Sequence, residues 1–243
     1  MKVIWALYDD GNCSYKKAIE KYFDGQYKVY CVGINKAPFE DTENYKYKQI
    51  DLSMINSNLI KDLSKLPQPD IILASPPCES WSGADCNGRM FKWIDDKGNW
   101  IVQNKNFYDA YNKKCNPVKR RYFIQKEQSR ILGEATIGAT IEIIKYFNPK
   151  IWIIENPQTS KTWMYQKYHW NFLGNENLAY YSSYDNNFSK KPTIFKSNLK
   201  LNLKTNKSLS NKNHIAKGSY LKRSSIPSLL IKDILDQISI EWK

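Results

Sequence analysis

Four short apolar runs, each ending abruptly in a polar cluster, leave this chain few ways to fold. Val3-Ile4-Trp5-Ala6-Leu7-Tyr8 stops at Asp9-Asp10-Gly11-Asn12, and Lys28-Val29-Tyr30-Cys31-Val32-Gly33-Ile34 stops at Asn35. Asp70-Ile71-Ile72-Leu73-Ala74 stops at Ser75-Pro76-Pro77-Cys78, and Ile151-Trp152-Ile153-Ile154 at Glu155-Asn156-Pro157. Runs this short, apolar on successive positions, read as buried strands rather than helices. Helical spacing fills the intervals. It predicts helices over 14–23 (Ala18, Ile19, Tyr22 and Phe23 inward), over 55–66, closed by Pro67, and over 126–147, stopped by Pro149. The stripe of the third is Leu132, Ala135, Ala139, Ile143 and Phe147. A last helix over 226–240 turns Leu229, Leu230, Ile234, Leu235 and Ile238 inward. Shorter strands are expected at 47–52, near 178–184 and at 191–196. Strands alternating with helices imply an α/β fold, a mostly parallel sheet with helices on both faces. Ligands in such sheets sit at the carboxyl ends of the strands, and the polar clusters at 9–12, 51, 75–80 and 155–157 all fall there.

Two clusters carry chemistry. In Ala74-Ser75-Pro76-Pro77-Cys78-Glu79-Ser80-Trp81-Ser82 the prolines fix the backbone and hold a thiol at a rigid strand end. A cysteine after a strand is ordinarily a small buried hydrophobe. A thiolate whose pKa is lowered is, however, a strong nucleophile near neutral pH. In Ile153-Ile154-Glu155-Asn156-Pro157 a carboxylate ends a very apolar strand, where it is placed to hold or share a proton. Alone, Glu-Asn-Pro would be a turn; beside the first cluster it reads as its partner.

Ser-Pro-Pro-Cys with Ser-Trp-Ser, followed by Glu-Asn-Pro, resembles the two catalytic motifs of the DNA cytosine carbon-5 methyltransferases, and the chain is similar to their small phage- and orphan-type members. The likeness is specific at 75–82 and 153–157. It is weaker at Tyr184, Lys190-Lys191-Pro192-Thr193 and Ser197-Asn198, which resemble the family's basic motif, and at Arg223–Leu235. The resemblance implies a Rossmann-like methyltransferase fold with S-adenosyl-L-methionine as cofactor. It also implies a mechanism: Cys78 adds to cytosine carbon 6, Glu155 bonds ring N3 and the amine, and Lys191, with Lys190 beside it, stands near the cytosine oxygen and backbone. A target in a duplex would be flipped out of the stack.

For the cofactor the resemblance points to Tyr8, Asp9, Asp10, Gly11 and Asn12 after the first strand, Ile34 and Asn35 after the second, Asp51 and Leu52, and Ser75 and Pro77. Here the chain departs from the family. Its first loop has one glycine where two are usual, with Asn12 able to take a left-handed conformation in place of the other. After the second strand stands Asn35 where the family has an acidic residue for the ribose hydroxyls.

Charge points to the partner. Lys and Arg number 37 against 24 acidic residues, net +13. Residues 86–126 carry +7 and residues 186–223 carry +10, so the rest of the chain is net acidic. Charge so localised favours a polyanion, which the resemblance implies to be DNA. The stretch 81–126 shows no sustained period and reads as an inserted basic and aromatic loop region within a single catalytic domain spanning 1–243. A second basic segment, 186–225, stands where larger relatives carry a target-recognition domain; it is too short for a core of its own. Candidate nucleic-acid contacts are Ser80, Ser82, Arg89, Lys119, Arg120, Arg121, Lys190 and Arg223, with Arg89 and Gln103-Asn104-Lys105-Asn106 as the candidate base readers. Five cysteines without a CxxC pair, and two histidines, signal neither a disulfide framework nor a metal site. No run of eighteen apolar residues occurs. A cytoplasmic, monomeric enzyme is expected. Two alternatives share these features: methylation of RNA cytosine by the same chemistry, and a non-catalytic DNA-binding protein on a decayed methyltransferase scaffold.

Overall fold

The computed structural model describes residues 1–82, 92–95, 99–206 and 224–240, with 92–94 and 100–102 by backbone path alone. Strands β1 (Lys2–Leu7), β2 (Tyr27–Gly33), β3 (Tyr45–Gln49), β4 (Ile71–Ala74), β7 (Ile151–Pro157), β8 (Asn175–Tyr180) and β9 (Pro192–Ser197) form one sheet in the order β3-β2-β1-β4-β7-β9-β8. All pairs from β3 to β7 are parallel; β9 runs antiparallel to both its neighbours. Strand order reverses between β1 and β4, which opens a crevice at their carboxyl ends. This is the Rossmann-like α/β arrangement expected.

Alternate residues of each central strand feed opposite cores. Ile4, Ala6, Ile71, Leu73, Ile151 and Ile153 face α1 (Ser14–Phe23) and the last helix, α6 (Ser228–Ile240). Trp5, Leu7, Ile72, Ala74, Trp152 and Ile154 face α2 (Leu59–Leu63), α4 (Phe123–Phe147) and α5 (Thr162–Trp170). Burying one such aliphatic side chain contributes roughly 1.5–3 kcal/mol, so both faces of every central strand are fixed in register.

Several expectations need correction. The third strand is Tyr45–Gln49 and the helix after it only Leu59–Leu63. The Asn56 side chain donates to the Asp51 carbonyl and accepts from the Asn58 amide, so the chain turns before the helix can start. Leu132 and Leu229 are about half exposed although periodic; Ile231 takes the inward place in α6. The strand expected at 178–184 is Asn175–Tyr180, followed by a 3-10 turn at Tyr181–Ser183. The region 81–126 is not an unstructured insert. It holds a hairpin, β5 (Lys92–Ile94) with β6 (Trp100–Val102), then α3 (Lys105–Lys114) and a 3-10 turn at Pro117–Lys119. Among the described residues, no helix is long and apolar enough to cross a membrane.

Candidate active site

The register β1–β4–β7 places Leu7, Ala74 and Ile154 side by side, so the clusters that follow them meet at one edge. Because β9 is antiparallel, its beginning lies at that same edge: Thr193 pairs with Pro157, which brings Lys191 alongside. The sheet alone therefore assembles Cys78, Glu155 and Lys191 from three remote stretches.

The loop bearing Cys78 is held from several sides. Asn156, wholly buried, donates from Nδ2 to the Pro76 carbonyl at 3.0 Å. The Ser75 amide donates to Leu7, and the Ser75 hydroxyl lies 2.8 Å from that of buried Tyr15. The amides of Trp81 and Ser82 both donate to the Cys78 carbonyl, and Lys161 donates to that of Trp81. Helix α4 abuts the loop at Gly133, where any Cβ would fall on the Ser80 hydroxyl and lie 3.0 Å from Trp81 Nε1. Ser80, expected to face nucleic acid, is consequently buried under that helix; Ser82 is half-buried and faces its own turn, Oγ to Glu79 O.

Cys78 itself is half-buried. Burial first, then the charges of Glu155 and Glu79, push its thiol up to about 11, while Lys191 draws it down. The lowered pKa expected of a nucleophile is thus not the resting condition: in the free protein the thiol stays protonated at neutral pH, within the electrostatic influence of Glu155 and Lys191. Glu155 is almost fully buried, and its Oε1 accepts from the Tyr181 hydroxyl at 3.0 Å. Lys191 Nζ lies over the Tyr181 ring, 4.7 Å from its centroid, and Lys190 over Tyr180 at 4.3 Å. Neither Tyr181 nor Asn156 was singled out from the sequence. Both act through contacts between strands, and only the repeated Tyr in 180–184 hinted at an aromatic floor.

Backbone strain gathers at this edge. Tyr8, Cys13 and Lys191 have φ of 63°, 51° and 29°, a region disfavoured for residues with a Cβ. The left-handed positions of the first loop are therefore Tyr8 and Cys13, not Asn12; Asn12 instead donates to the Ser224 hydroxyl at 2.9 Å. Gly11 is exposed. The Tyr8 hydroxyl sits between the carbonyls of Leu52 (2.8 Å) and Thr136 (2.9 Å), tying β1 to α4. Asp9 is buried and takes the amides of Tyr15 and Lys16, capping α1. Burial pushes its carboxyl up to about 7 against those hydrogen bonds.

Asp10 resolves the missing acid after β2. Its Oδ2 accepts from the amides of Ile34 (2.9 Å) and Asn35 (3.1 Å) and from Asn35 Nδ2 (2.9 Å). A Cβ on Gly33 would fall on that carboxylate, so glycine is what admits it. A carboxylate therefore stands at the end of β2 although no acidic residue follows β2 in sequence. Beside it Ile34 is 61% exposed, and Asp51 and Pro77 are half-buried.

Of the expected nucleic-acid contacts, Lys119, Arg120, Arg121 and Lys190 are exposed. Arg89 and Arg223 lie outside the described residues. Asn104 caps α3, accepting from Phe107 N, and Lys105 pairs with Asp109, so two of the four residues at 103–106 have structural partners.

No family model matches the chain, and no curated protein matches it either. Among solved structures it is similar to a protein described as a ribosomal RNA methyltransferase of Plasmodium falciparum, at 13% identity and a TM-score of 0.40, covering 81% of this chain and 84% of that one. It is also similar to the methyltransferase EhMeth of Entamoeba histolytica, at 12% identity and a TM-score of 0.48, covering 89% and 62%. Likeness at this level is one of chain path and says nothing of substrate.

Proposed function

We propose that the protein methylates carbon 5 of cytosine in DNA, with Cys78 as nucleophile and S-adenosylmethionine as methyl donor. The observation that carries this reading is the convergence of Cys78, Glu155 and Lys191 at one sheet edge, with Asn156 and Tyr15 bracing the loop of the thiol. The residue set suits attack on an electron-poor ring carbon. On cytosine binding, the thiol gives its proton to Glu155, and the sulfur electron pair forms a bond to carbon 6. Glu155 passes a proton to ring N3 and accepts from the exocyclic amine, which leaves carbon 5 electron-rich. Lys191 offsets negative charge at the sulfur and can donate to the cytosine carbonyl oxygen. After carbon 5 is methylated, solvent takes its proton, and the electrons of that bond form the carbon 5–carbon 6 double bond. The carbon–sulfur bond breaks with its electrons returning to sulfur, and the N3 proton returns through Glu155 to the thiolate.

The donor's site would be the crevice between β1 and β4. Asp10 suits a ribose hydroxyl, Ile34 with Leu52 the edge of an adenine, and Asp51 its amine, while Gly11, Asn12, Asn35, Ser75 and Pro77 line the approach. The carboxylate of Asp10 fits this group despite the departure in sequence. When bound there, S-adenosylmethionine supplies an electrophilic methyl group. Lys190, exposed beside this edge, would be available to nucleic acid.

The test is trapping on duplex DNA containing 5-fluorocytosine in the presence of the methyl donor. A stable protein–DNA adduct is expected, lost in Cys78→Ser. Absence of any adduct or methyl transfer to DNA overturns the reading, and transfer to RNA alone replaces the substrate.

A further inference from the structure

Helix α4 has two unlike halves. From Gly133 onward it is buried against the sheet; before Gly133 it stands largely clear, with Ile124 68% and Leu132 50% exposed. Its first turn is braced by α3, through the buried ring of Tyr108 against Phe123 at 6.1 Å. The turn joining the two helices is fixed. Asn112 accepts from the Arg121 amide (2.9 Å) and donates to the Arg121 carbonyl (2.6 Å), and Asn116 accepts from the Val118 amide (3.1 Å). Residues 105–133 thus form a rigid arm. Ten residues of helix, about 15 Å, separate its outer end from Gly133, where it touches the Cys78 loop.

The arm's charges are sorted. Between 99 and 134 the acidic residues are Asp109, Glu127 and Glu134. Asp109 is paired with Lys105 at 2.6 Å, and Arg130 reaches Glu127 at 2.9 Å and Glu134 at 3.0 Å. Lys113, Lys114, Lys119, Arg120 and Arg121 are all exposed, and none makes an ion pair among the described residues. The aromatic rings of α3 engage one another, Phe107 stacked on Tyr111 at 6.3 Å. Tyr122 beside Arg121 is 53% exposed, so among the described residues of the arm these five exposed cations stand with one exposed ring, a balance that suits phosphate contacts more than the serial base stacking of an open single strand.

We propose that this arm is a clamp for the phosphate backbone of duplex DNA, with Lys119, Arg120 and Arg121 as its contacts, set at a fixed distance from Cys78. It depends on the preceding reading only for the choice of DNA as the polymer. Such a clamp adds affinity without reading sequence.

The test compares the full chain with Lys119→Gln/Arg120→Gln/Arg121→Gln, and with a control of equal charge loss at the sheet's amino edge, Lys2→Gln/Lys21→Gln/Lys28→Gln. Binding to a cytosine-containing 30-base-pair duplex is measured by fluorescence anisotropy from 50 to 200 mM KCl, with thermal melts to verify folding. The arm variant should flatten the plot of log affinity against log salt by about 2–3, at roughly 0.9 per lost phosphate contact. The KM for DNA should rise in the same variant. Equal slopes for arm variant, control and parent overturn the clamp, as does an effect on duplex RNA but not duplex DNA. Arm-dependent binding without methyl transfer by the parent would remove the cytosine reading and keep the clamp; transfer with an indifferent slope would do the reverse.

Discussion

The hydroxyl of Tyr181 donates to Glu155 Oε1 at 3.0 Å, and both side chains are buried. A carboxylate has two oxygens, and this bond fixes which one stays free of Tyr181 and so available to the proposed substrate. Tyr181→Phe removes the hydroxyl alone and keeps the ring under Lys191. A hydrogen bond to a charged group is worth about 1.5–3 kcal/mol, so turnover should fall roughly 10- to 100-fold. The substrate KM should change little and the melting temperature only modestly. Steady-state kinetics at fixed pH, with thermal melts alongside, checks this. An unchanged kcat would show that Tyr181 only fills space.

The thiol of Cys78, pushed up to about 11, should alkylate slowly in the free protein at neutral pH and faster as pH rises. The signs of the neighbours follow from charge. Glu155→Gln removes a repelling carboxylate and should lower the thiol's pKa; Lys191→Met removes an attracting ammonium and should raise it. Iodoacetamide labelling of the Cys78 peptide, followed by mass spectrometry from pH 6 to 10, separates the two. Identical profiles in both variants would mean that the thiol is screened from these groups.

The central strands were legible because they are buried on both faces and so show their apolarity in consecutive residues. Cys78 and Glu155 were legible because they end such strands. Tyr181 and Asn156 were not, since their partners lie 26 and 80 residues away and only the pairing of β7 with β9 and β4 brings them close. Helix α5 was missed for a different reason. Two of its buried positions are Thr162 and Gln166, which satisfy each other, and Gln166 Oε1 also lies near the buried ammonium of Lys196. Polar residues facing inward erase the apolar stripe that betrays a helix. The first half of α4 misled in the opposite direction, its Leu132 periodic yet standing outside the body.

Asp9 makes stability depend on pH in a direction opposite to most carboxylates. Its folded pKa is raised to about 7, above the usual 3.8, chiefly by burial. The native state therefore holds a proton that the unfolded chain releases, and the stabilisation is complete below pH 4 and lost as pH rises through 7. Asp9→Asn keeps an acceptor for the Tyr15 amide and cannot ionise. Its urea midpoint should be nearly flat from pH 5 to 8 where the parent's declines. The opposite ordering at pH 8, with the variant less stable, would mean that the ionised carboxylate is what α1 requires.

Asp10 reaches the end of β2 from the loop after β1, and its Oδ2 alone is engaged by Ile34 and Asn35 among the described residues. If Oδ1 receives a ribose hydroxyl, Asp10→Asn should weaken S-adenosylhomocysteine at least tenfold by calorimetry, since an amide accepts a hydroxyl less strongly than a carboxylate does. Duplex binding should be untouched, because the arm lies on another part of the molecule. Asn35→Asp offers the converse test. It would place a second carboxylate against Asp10, and like charges this close oppose one another, so it should weaken S-adenosylhomocysteine binding rather than strengthen it. Tighter binding in Asn35→Asp would show that Asp10 merely caps the strand.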